Sequence, residues 1–130
     1  MSLIPDSHID LLDRPLFGHL ATIRPDGTPH VNPVWYEWDG ELLWFTTSTD
    51  RFKYRNVTKN PQVSVSVNDP DQPYRYLEVR GVVDRVESDP SAAGFFRLAD
   101  RYGLHLDAPV DEEDPSRVMF GVKPHHTTYQ

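Results

Sequence analysis

Hydrophobic and polar residues alternate along much of the chain, and this pattern predicts a protein built mainly from strands. The clearest case is Val63, Val65 and Val67, which are separated by two serines. A period of two is typical of a strand with one buried face. The remaining strands are predicted over 18–23, 30–38, 42–47, 74–87 and 117–129. We therefore expect about six strands, most of them antiparallel because short turns join them.

Three short helices are predicted between the strands. The first ends before Pro15. The second covers 51–59 and follows Ser48, Thr49 and Asp50, whose side-chain oxygens can cap its first turn. The third follows Asp89, with a proline at the first helical position, and its apolar residues recur at helical spacing up to residue 103.

These elements predict a mainly β fold of the α+β type, with a small barrel favoured over an open sheet. The 130 residues are enough for one compact domain, 1–130, but not for two. Gly81 lies inside the long strand predicted over 74–87, where a glycine indicates a bulge or a close approach of two backbones.

Composition removes several classes of function. The chain has no cysteine, which excludes zinc ribbons, thiolate-held clusters and thiol nucleophiles. A formal charge of −7 argues against general binding to nucleic acid, because that affinity needs an excess of Lys and Arg. The sequence shows neither a secretory signal nor the run of about 20 apolar residues that spans a membrane. We expect a cytoplasmic protein with no membrane partner.

The helix predicted over 51–59 is basic although the whole chain is acidic. It contains Arg51, Lys53, Arg55 and Lys59 and no acid. Backbone N–H groups at a helix start favour anions, and arginine adds a bidentate donor for phosphate. Hydroxyl side chains at 46–48 come just before the helix, so the sequence predicts a cradle for a phosphate monoester. A solvated helix face is the alternative explanation.

The segment 30–36 combines aromatic residues with a proline. Pro33 removes a hydrogen-bond donor from the strand and belongs at an edge or a bulge, so a planar ring could lie against this segment. Alternatively, Trp35, Tyr36 and Trp38 belong to the core or to a dimer interface.

No motif for metal binding or nucleophilic catalysis is evident. The six histidines lack the spacing of metal ligands, and the acidic segment 107–114 lacks the alternating ligands of a calcium loop. No serine lies in a GxSxG setting, and no glycine-rich phosphate loop occurs. If the protein is an enzyme, a bound cofactor is expected to supply the difficult chemistry.

Several segments, taken in order, resemble one known family. They are GHLATIRPDGTPH at 18–30, PVWY at 33–36, LWFTTS at 43–48, RFKYRN at 51–56 and YLEVRGVV at 76–83. The chain resembles the pyridoxamine-phosphate-oxidase-like split-barrel flavoproteins, and within them the deazaflavin-dependent oxidoreductases that use coenzyme F420. This resemblance implies a six-stranded antiparallel split β-barrel with short flanking helices, and a homodimer that binds the cofactor between its subunits.

The resemblance also implies roles for individual residues. Arg51 and Lys53 would hold the cofactor phosphate, and Arg55 and Lys59 could meet its glutamate tail. The other implied cofactor-binding positions lie along the deazaflavin ring and the ribityl chain: Asn32, Pro33, Val34, Thr46, Thr47 and Ser48. Two departures make pyridoxamine phosphate oxidation doubtful, namely a basic motif of Arg-x-Lys instead of adjacent Arg-Lys, and no C-terminal extension after residue 130.

The expected reaction is hydride transfer between reduced F420 and a small organic acceptor. The proton would come from solvent or from a hydroxyl such as that of Tyr76, and no other catalytic side chain is predicted. Two alternatives stay open: an FMN-dependent reductase or oxidase on the same barrel, and a carrier that binds flavin or deazaflavin without turnover.

Overall fold

The computed structural model describes residues 3–107 and 113–130. Its elements are, in chain order, α1 Asp10–Asp13, β1 Gly18–Ile23, β2 Pro29–Val34, β3 Glu37–Trp38, β4 Leu43–Ser48, α2 Phe52–Lys59, β5 Gln62–Asp69, β6 Gln72–Ser88, α3 Ala93–Arg101 and β7 Arg117–Tyr129. The strands form one curled antiparallel sheet in the order β2-β1-β5-β6-β7-β4-β3. The predicted split barrel is confirmed. In the described part of the chain, no helix is long and apolar enough to cross a membrane.

The sheet has seven strands instead of six because the strand predicted over 30–38 divides into β2 and β3. The division falls at Tyr36, whose backbone N–H donates to the Tyr102 hydroxyl at 3.0 Å. The Tyr36 carbonyl accepts from Arg101 Nε at 2.9 Å, and the Tyr36 hydroxyl donates to the Leu11 carbonyl at 2.6 Å. Tyr36 is therefore a core residue that anchors α1 and α3 to the sheet, which is one of the two roles the sequence left open for it.

One face of the curled sheet carries most of the main core. Val63, Val65 and Val67 are all buried, as the alternating pattern predicted. Phe45 on β4 and Phe120 on β7 are fully buried, and their rings stack with centroids 5.3 Å apart. Burial of such large apolar side chains supplies most of the stability of a domain of this size.

The long strand β6 pairs with β5 on one side and with β7 on the other, and it bends at Gly81. The register with β7 shifts between Arg80 and Gly81. A Cβ atom at Gly81 would lie 2.1 Å from the carbonyl oxygen of Lys123, so only glycine fits there. The predicted bulge and close backbone approach are both confirmed.

The predicted cap of α2 is wrong. The helix begins at Phe52 after an extended Arg51, and no side chain in the described ranges caps it. The Ser48 hydroxyl donates to the Asp50 carboxylate at 2.6 Å, so these two predicted capping groups bond each other. The backbone N–H groups at the start of α2 therefore receive no side-chain cap.

The start of α3 also differs from the prediction. The helix begins at Ala93, and Pro90 precedes it instead of occupying its first position. Asp89 still serves the helix, because its carboxylate accepts from the N–H groups of Gly94 at 3.1 Å and Phe95 at 3.3 Å. After α3, residues 104–107 and 113–115 are exposed, and 108–112, within the acidic segment 107–114, lie outside the described residues.

Candidate functional site

A groove of about 410 Å³ lies where β2, β4, the start of α2, α3 and β7 meet. Among the described residues, its lining contains three cationic side chains and no carboxylate. The lining residues are His30, Asn32, Thr46, Thr47, Ser48, Arg51, Phe52, Lys53, Phe95 and Arg117. The groove therefore offers positive charge and hydroxyl groups to an anion.

Chain connectivity explains most of this lining. Strand β4 ends at Ser48, and α2 starts four residues later, so the hydroxyls of β4 and the cations of α2 must lie close together. On the edge strand β2, His30 and Asn32 are half-buried, whereas Val31 and Pro33 between and beyond them are exposed. This alternation presents one face of β2 to the groove.

A second, smaller cavity of about 250 Å³ adjoins the groove, and we call it the recess. Its lining is mostly apolar: Phe17, Pro33, Val34, Trp35, Thr46 and Lys53. Thr46 and Lys53 line both cavities, so the recess continues the groove. Trp35 stacks on Tyr102 with centroids 5.3 Å apart, which fixes one wall of the recess. The combined site has a polar, cationic end and an apolar, aromatic end.

Four buried side-chain atoms in the described residues have no hydrogen-bond partner: His30 Nδ1, Asn32 Oδ1, Thr47 Oγ1 and Arg117 Nε. All four residues line the groove. Buried polar groups in proteins are almost always hydrogen-bonded, because an unpaired group loses its contacts with water without replacement. These atoms fit a polar ligand, and an anionic cofactor with hydroxyl and carbonyl groups would provide the missing partners.

The cations of the groove lie close enough to affect one another. Burial and, to a lesser extent, the neighbouring charge of Arg51 lower the pKa of Lys53 below its usual range. Both effects disfavour the ammonium form. A bound anion would stabilise it, since an opposite charge nearby favours ionisation.

Arg117 is a groove residue that sequence reasoning missed. It opens β7 and pairs with Ser48 of β4. Its Nη2 donates to Thr46 Oγ1 at 2.7 Å, and its guanidinium carbon lies 4.6 Å from the centre of the Phe95 ring. Phe95 was also missed, because no local motif distinguishes it. His30 and Phe52 were not predicted individually, although they lie in the candidate segments 30–36 and 51–59.

The structure brings most of the predicted site residues together. The groove contains Asn32, Thr46, Thr47, Ser48, Arg51 and Lys53, and the recess contains Pro33 and Val34. Arg55 and Lys59 line neither cavity, although the guanidinium of Arg55 lies 5.9 Å from the Phe52 ring at the edge of the groove. Tyr76 lies on β6, its backbone bonded to Gln130, outside both cavities of its own chain.

The curled antiparallel sheet agrees with the split-barrel fold that the sequence resemblance implied. The family model for pyridoxamine 5'-phosphate oxidase matches residues 4–130. The chain belongs to this family.

Solved structures agree with this assignment. An F420 reductase is 51% identical and has a TM-score of 0.91, with 98% of this chain and all of that chain covered. A conserved hypothetical protein from Mycobacterium tuberculosis is 27% identical with a TM-score of 0.74, covering 97% of this chain and 84% of its own. A putative pyridoxamine 5'-phosphate oxidase from Listeria innocua, 22% identical with a TM-score of 0.74 and 95% of each chain covered, shows the fold alone.

No curated protein matches the sequence significantly. The family and the F420 reductase structure together support an oxidoreductase that binds a flavin or a deazaflavin.

Proposed function

We propose that the protein binds coenzyme F420 in the groove and the recess and transfers a hydride between the reduced cofactor and a small organic acceptor. The observation that carries this proposal is the continuous site with a cationic end, an apolar end and four unpartnered buried polar atoms. A cofactor with a phosphate group and a planar ring matches this site, because the phosphate suits the cationic end and the ring suits the apolar end. The 51% identity to an F420 reductase favours the deazaflavin over FMN.

Arg51 and Lys53 hold the phosphate in this proposal. Arginine can donate two parallel hydrogen bonds to a phosphate, and lysine adds a point charge. The uncapped start of α2 contributes free backbone N–H groups beside them. The hydroxyls of Thr47 and Ser48 lie in the same groove. This end fixes the cofactor by charge and hydrogen bonding.

Pro33, Val34 and Trp35 form the surface for the planar ring. The apolar recess excludes water from one side of the ring and holds it in one orientation. When bound, the deazaflavin supplies hydride transfer. The chain itself binds, orients and shields the cofactor. Tyr76 lies outside both cavities of its own chain, so within one protomer the proposal takes the proton from solvent at the open side of the groove.

The same proposal includes a homodimer with the site at the subunit interface. Three large apolar side chains lie on the elements around the two cavities and are 60% to 69% exposed: Phe17, Val31 and Phe52. A second copy would cover them, as expected for a patch of this kind. Light scattering of the purified protein tests this part, and a monomer at micromolar concentration would contradict it.

Ligand titration tests the cofactor assignment. F420 and FMN are added separately, and reduced F420 is then mixed with protein and acceptors such as quinones or biliverdin. We expect F420 to bind more tightly than FMN, and we expect enzyme-dependent oxidation of the reduced form by at least one acceptor. Tighter FMN binding would favour the FMN enzyme, and binding without turnover would favour a carrier. Binding of neither cofactor would refute the proposal.

A further inference from the structure

Arg117 lines the groove and reaches the border with the recess only through its hydrogen bond to Thr46. Thr46 lines both cavities, and its hydroxyl accepts the hydrogen bond from Arg117 Nη2. Ser48 is the strand partner of Arg117, so the side chain extends from the level of Ser48 back along β4 to Thr46. Two residues of a strand span about 6.6 Å. The guanidinium therefore lies at the level of Thr46, two residues before Ser48, the last residue of β4 before the segment that leads into α2.

The guanidinium is held in position by contacts on two sides. Thr46 fixes one nitrogen, and the Phe95 ring packs at 4.6 Å, a distance typical of a cation over an aromatic face. Phe95 is itself held by the Asp89 carboxylate, which accepts from its backbone N–H. An arginine fixed in this way loses little conformational freedom when it binds a ligand.

The buried Nε of Arg117 has no hydrogen-bond partner. Arginine presents its donors in a planar fork, which suits acceptor atoms that lie in one plane. The carbonyl-bearing edge of a heterocyclic ring has such acceptors. A ring in the recess would bring this edge to the junction with the groove, because the recess itself is mostly apolar.

We propose that Arg117 positions the ring system of the cofactor, whereas Arg51 and Lys53 bind the phosphate. This inference rests on the proposed function, and it divides the cations of the groove into two roles. Arg117 recognises a planar heterocycle with carbonyl acceptors at its edge. Its contribution to binding is therefore independent of whether the ligand carries a phosphate.

Two ligands separate the two roles. One is coenzyme F420, and the other is its deazaflavin riboside, which has the same ring and ribityl chain but no phosphate and no glutamate tail. Dissociation constants are measured for the wild type, Arg117→Gln, Arg51→Gln and Arg97→Gln. We expect Arg117→Gln to weaken both ligands by a similar factor, about tenfold or more. We expect Arg51→Gln to weaken F420 strongly and the riboside hardly at all.

Arg97 provides the matched control. It lies on α3, lines neither cavity and pairs with Glu37 at 2.8 Å, so Arg97→Gln should leave both dissociation constants unchanged. Arg117→Lys keeps the charge without the planar fork and should restore only part of the affinity. Thermal unfolding of each variant shows whether the fold is intact. For a less stable variant, the ratio of its affinities for the riboside and for F420 is compared with that of the wild type, because partial unfolding lowers both affinities by the same factor.

The results separate failure of this inference from failure of the proposed function. If the wild type binds F420 and Arg117→Gln weakens F420 alone, Arg117 is a phosphate contact and the inference is wrong. Unchanged affinity for both ligands, or full rescue by lysine, would also overturn it. If the wild type binds neither deazaflavin, the proposed function itself is wrong.

Discussion

Cationic side chains form two clusters in this molecule, and their surroundings are opposite in character. Near the N-terminus, Arg75 pairs with Asp10 at 2.6 Å and with Asp69 at 3.2 Å, and Arg14 lies 3.4 Å from Asp69. In the groove, Arg51, Lys53 and Arg117 form no salt bridge with any carboxylate among the described residues.

The two clusters have different uses. The Arg75 cluster joins α1 to the hairpin of β5 and β6, so its charges are satisfied within the fold. A hydrogen bond from Arg75 is the largest effect that lowers the pKa of Asp10. The groove instead leaves its cations without a carboxylate partner among the described residues, and burial lowers the pKa of Lys53. In the proposed function, the anionic cofactor is the partner of these cations.

The largest expected effect concerns binding. Arg51→Gln or Lys53→Gln should each weaken F420 binding by about 1.5–3 kcal/mol, because each removes a charge-assisted contact to the phosphate. Isothermal titration calorimetry measures this change. Arg75→Gln is the control and should bind F420 as the wild type does. An equal loss of F420 affinity in all three variants would show that the two clusters do not differ in function.

The next effect concerns stability. Arg75→Gln should lower Tm, because it leaves Arg14 as the remaining cationic partner of both the buried Asp69 and Asp10. Arg85 offers a matched control, since it pairs with Glu87 on the surface, where a salt bridge is worth about 1 kcal/mol or less. Differential scanning calorimetry should show a larger drop in Tm for Arg75→Gln than for Arg85→Gln. The reverse order would mean that the Arg75 cluster does not stabilise the fold.

Acid should weaken the Arg75 cluster selectively. The pKa of Asp10 is lowered mainly by the hydrogen bond from Arg75, and that of Asp69 mainly by the backbone N–H of Asp71. A carboxyl with a lowered folded pKa stabilises the fold above its unfolded pKa of about 3.9 and loses this contribution as pH falls through the folded value. Below about pH 4, Tm should therefore fall more steeply for the wild type than for Arg75→Gln. Parallel curves of Tm against pH for the wild type and Arg75→Gln would show that Arg75 does not lower the pKa of Asp10.

The smallest expected effect is a gain in stability. Because the folded pKa of Lys53 is lowered, the fold disfavours the ammonium form below that pKa. Lys53→Met removes the charge and should raise Tm slightly at pH 7. The difference should shrink as pH rises toward the unfolded pKa of about 10.4, where lysine is neutral in both states. A lower Tm for Lys53→Met at pH 7 would show that the Lys53 charge is satisfied within the fold.

The sequence could predict one wall of the site because that wall is continuous in the chain. Thr46, Thr47 and Ser48 lead directly into Arg51 and Lys53, so local structure alone brings them together. Helix boundaries were predicted less well. Asp89 reaches Gly94 and Phe95 past a left-handed Ala92, with φ of 62°, which no capping pattern indicates.

By itself, the sequence determined the strand pattern, the bulge at Gly81 and the basic start of α2, because each depends on neighbouring residues and on backbone geometry. Only the tertiary structure decided that β7 pairs with β4, which places Arg117 beside Thr46 although 71 positions separate them. It also placed Tyr76 away from the groove of its own chain. The physical reason is that strand order in a curled sheet depends on how all the apolar faces pack together, and no short segment of sequence contains that information.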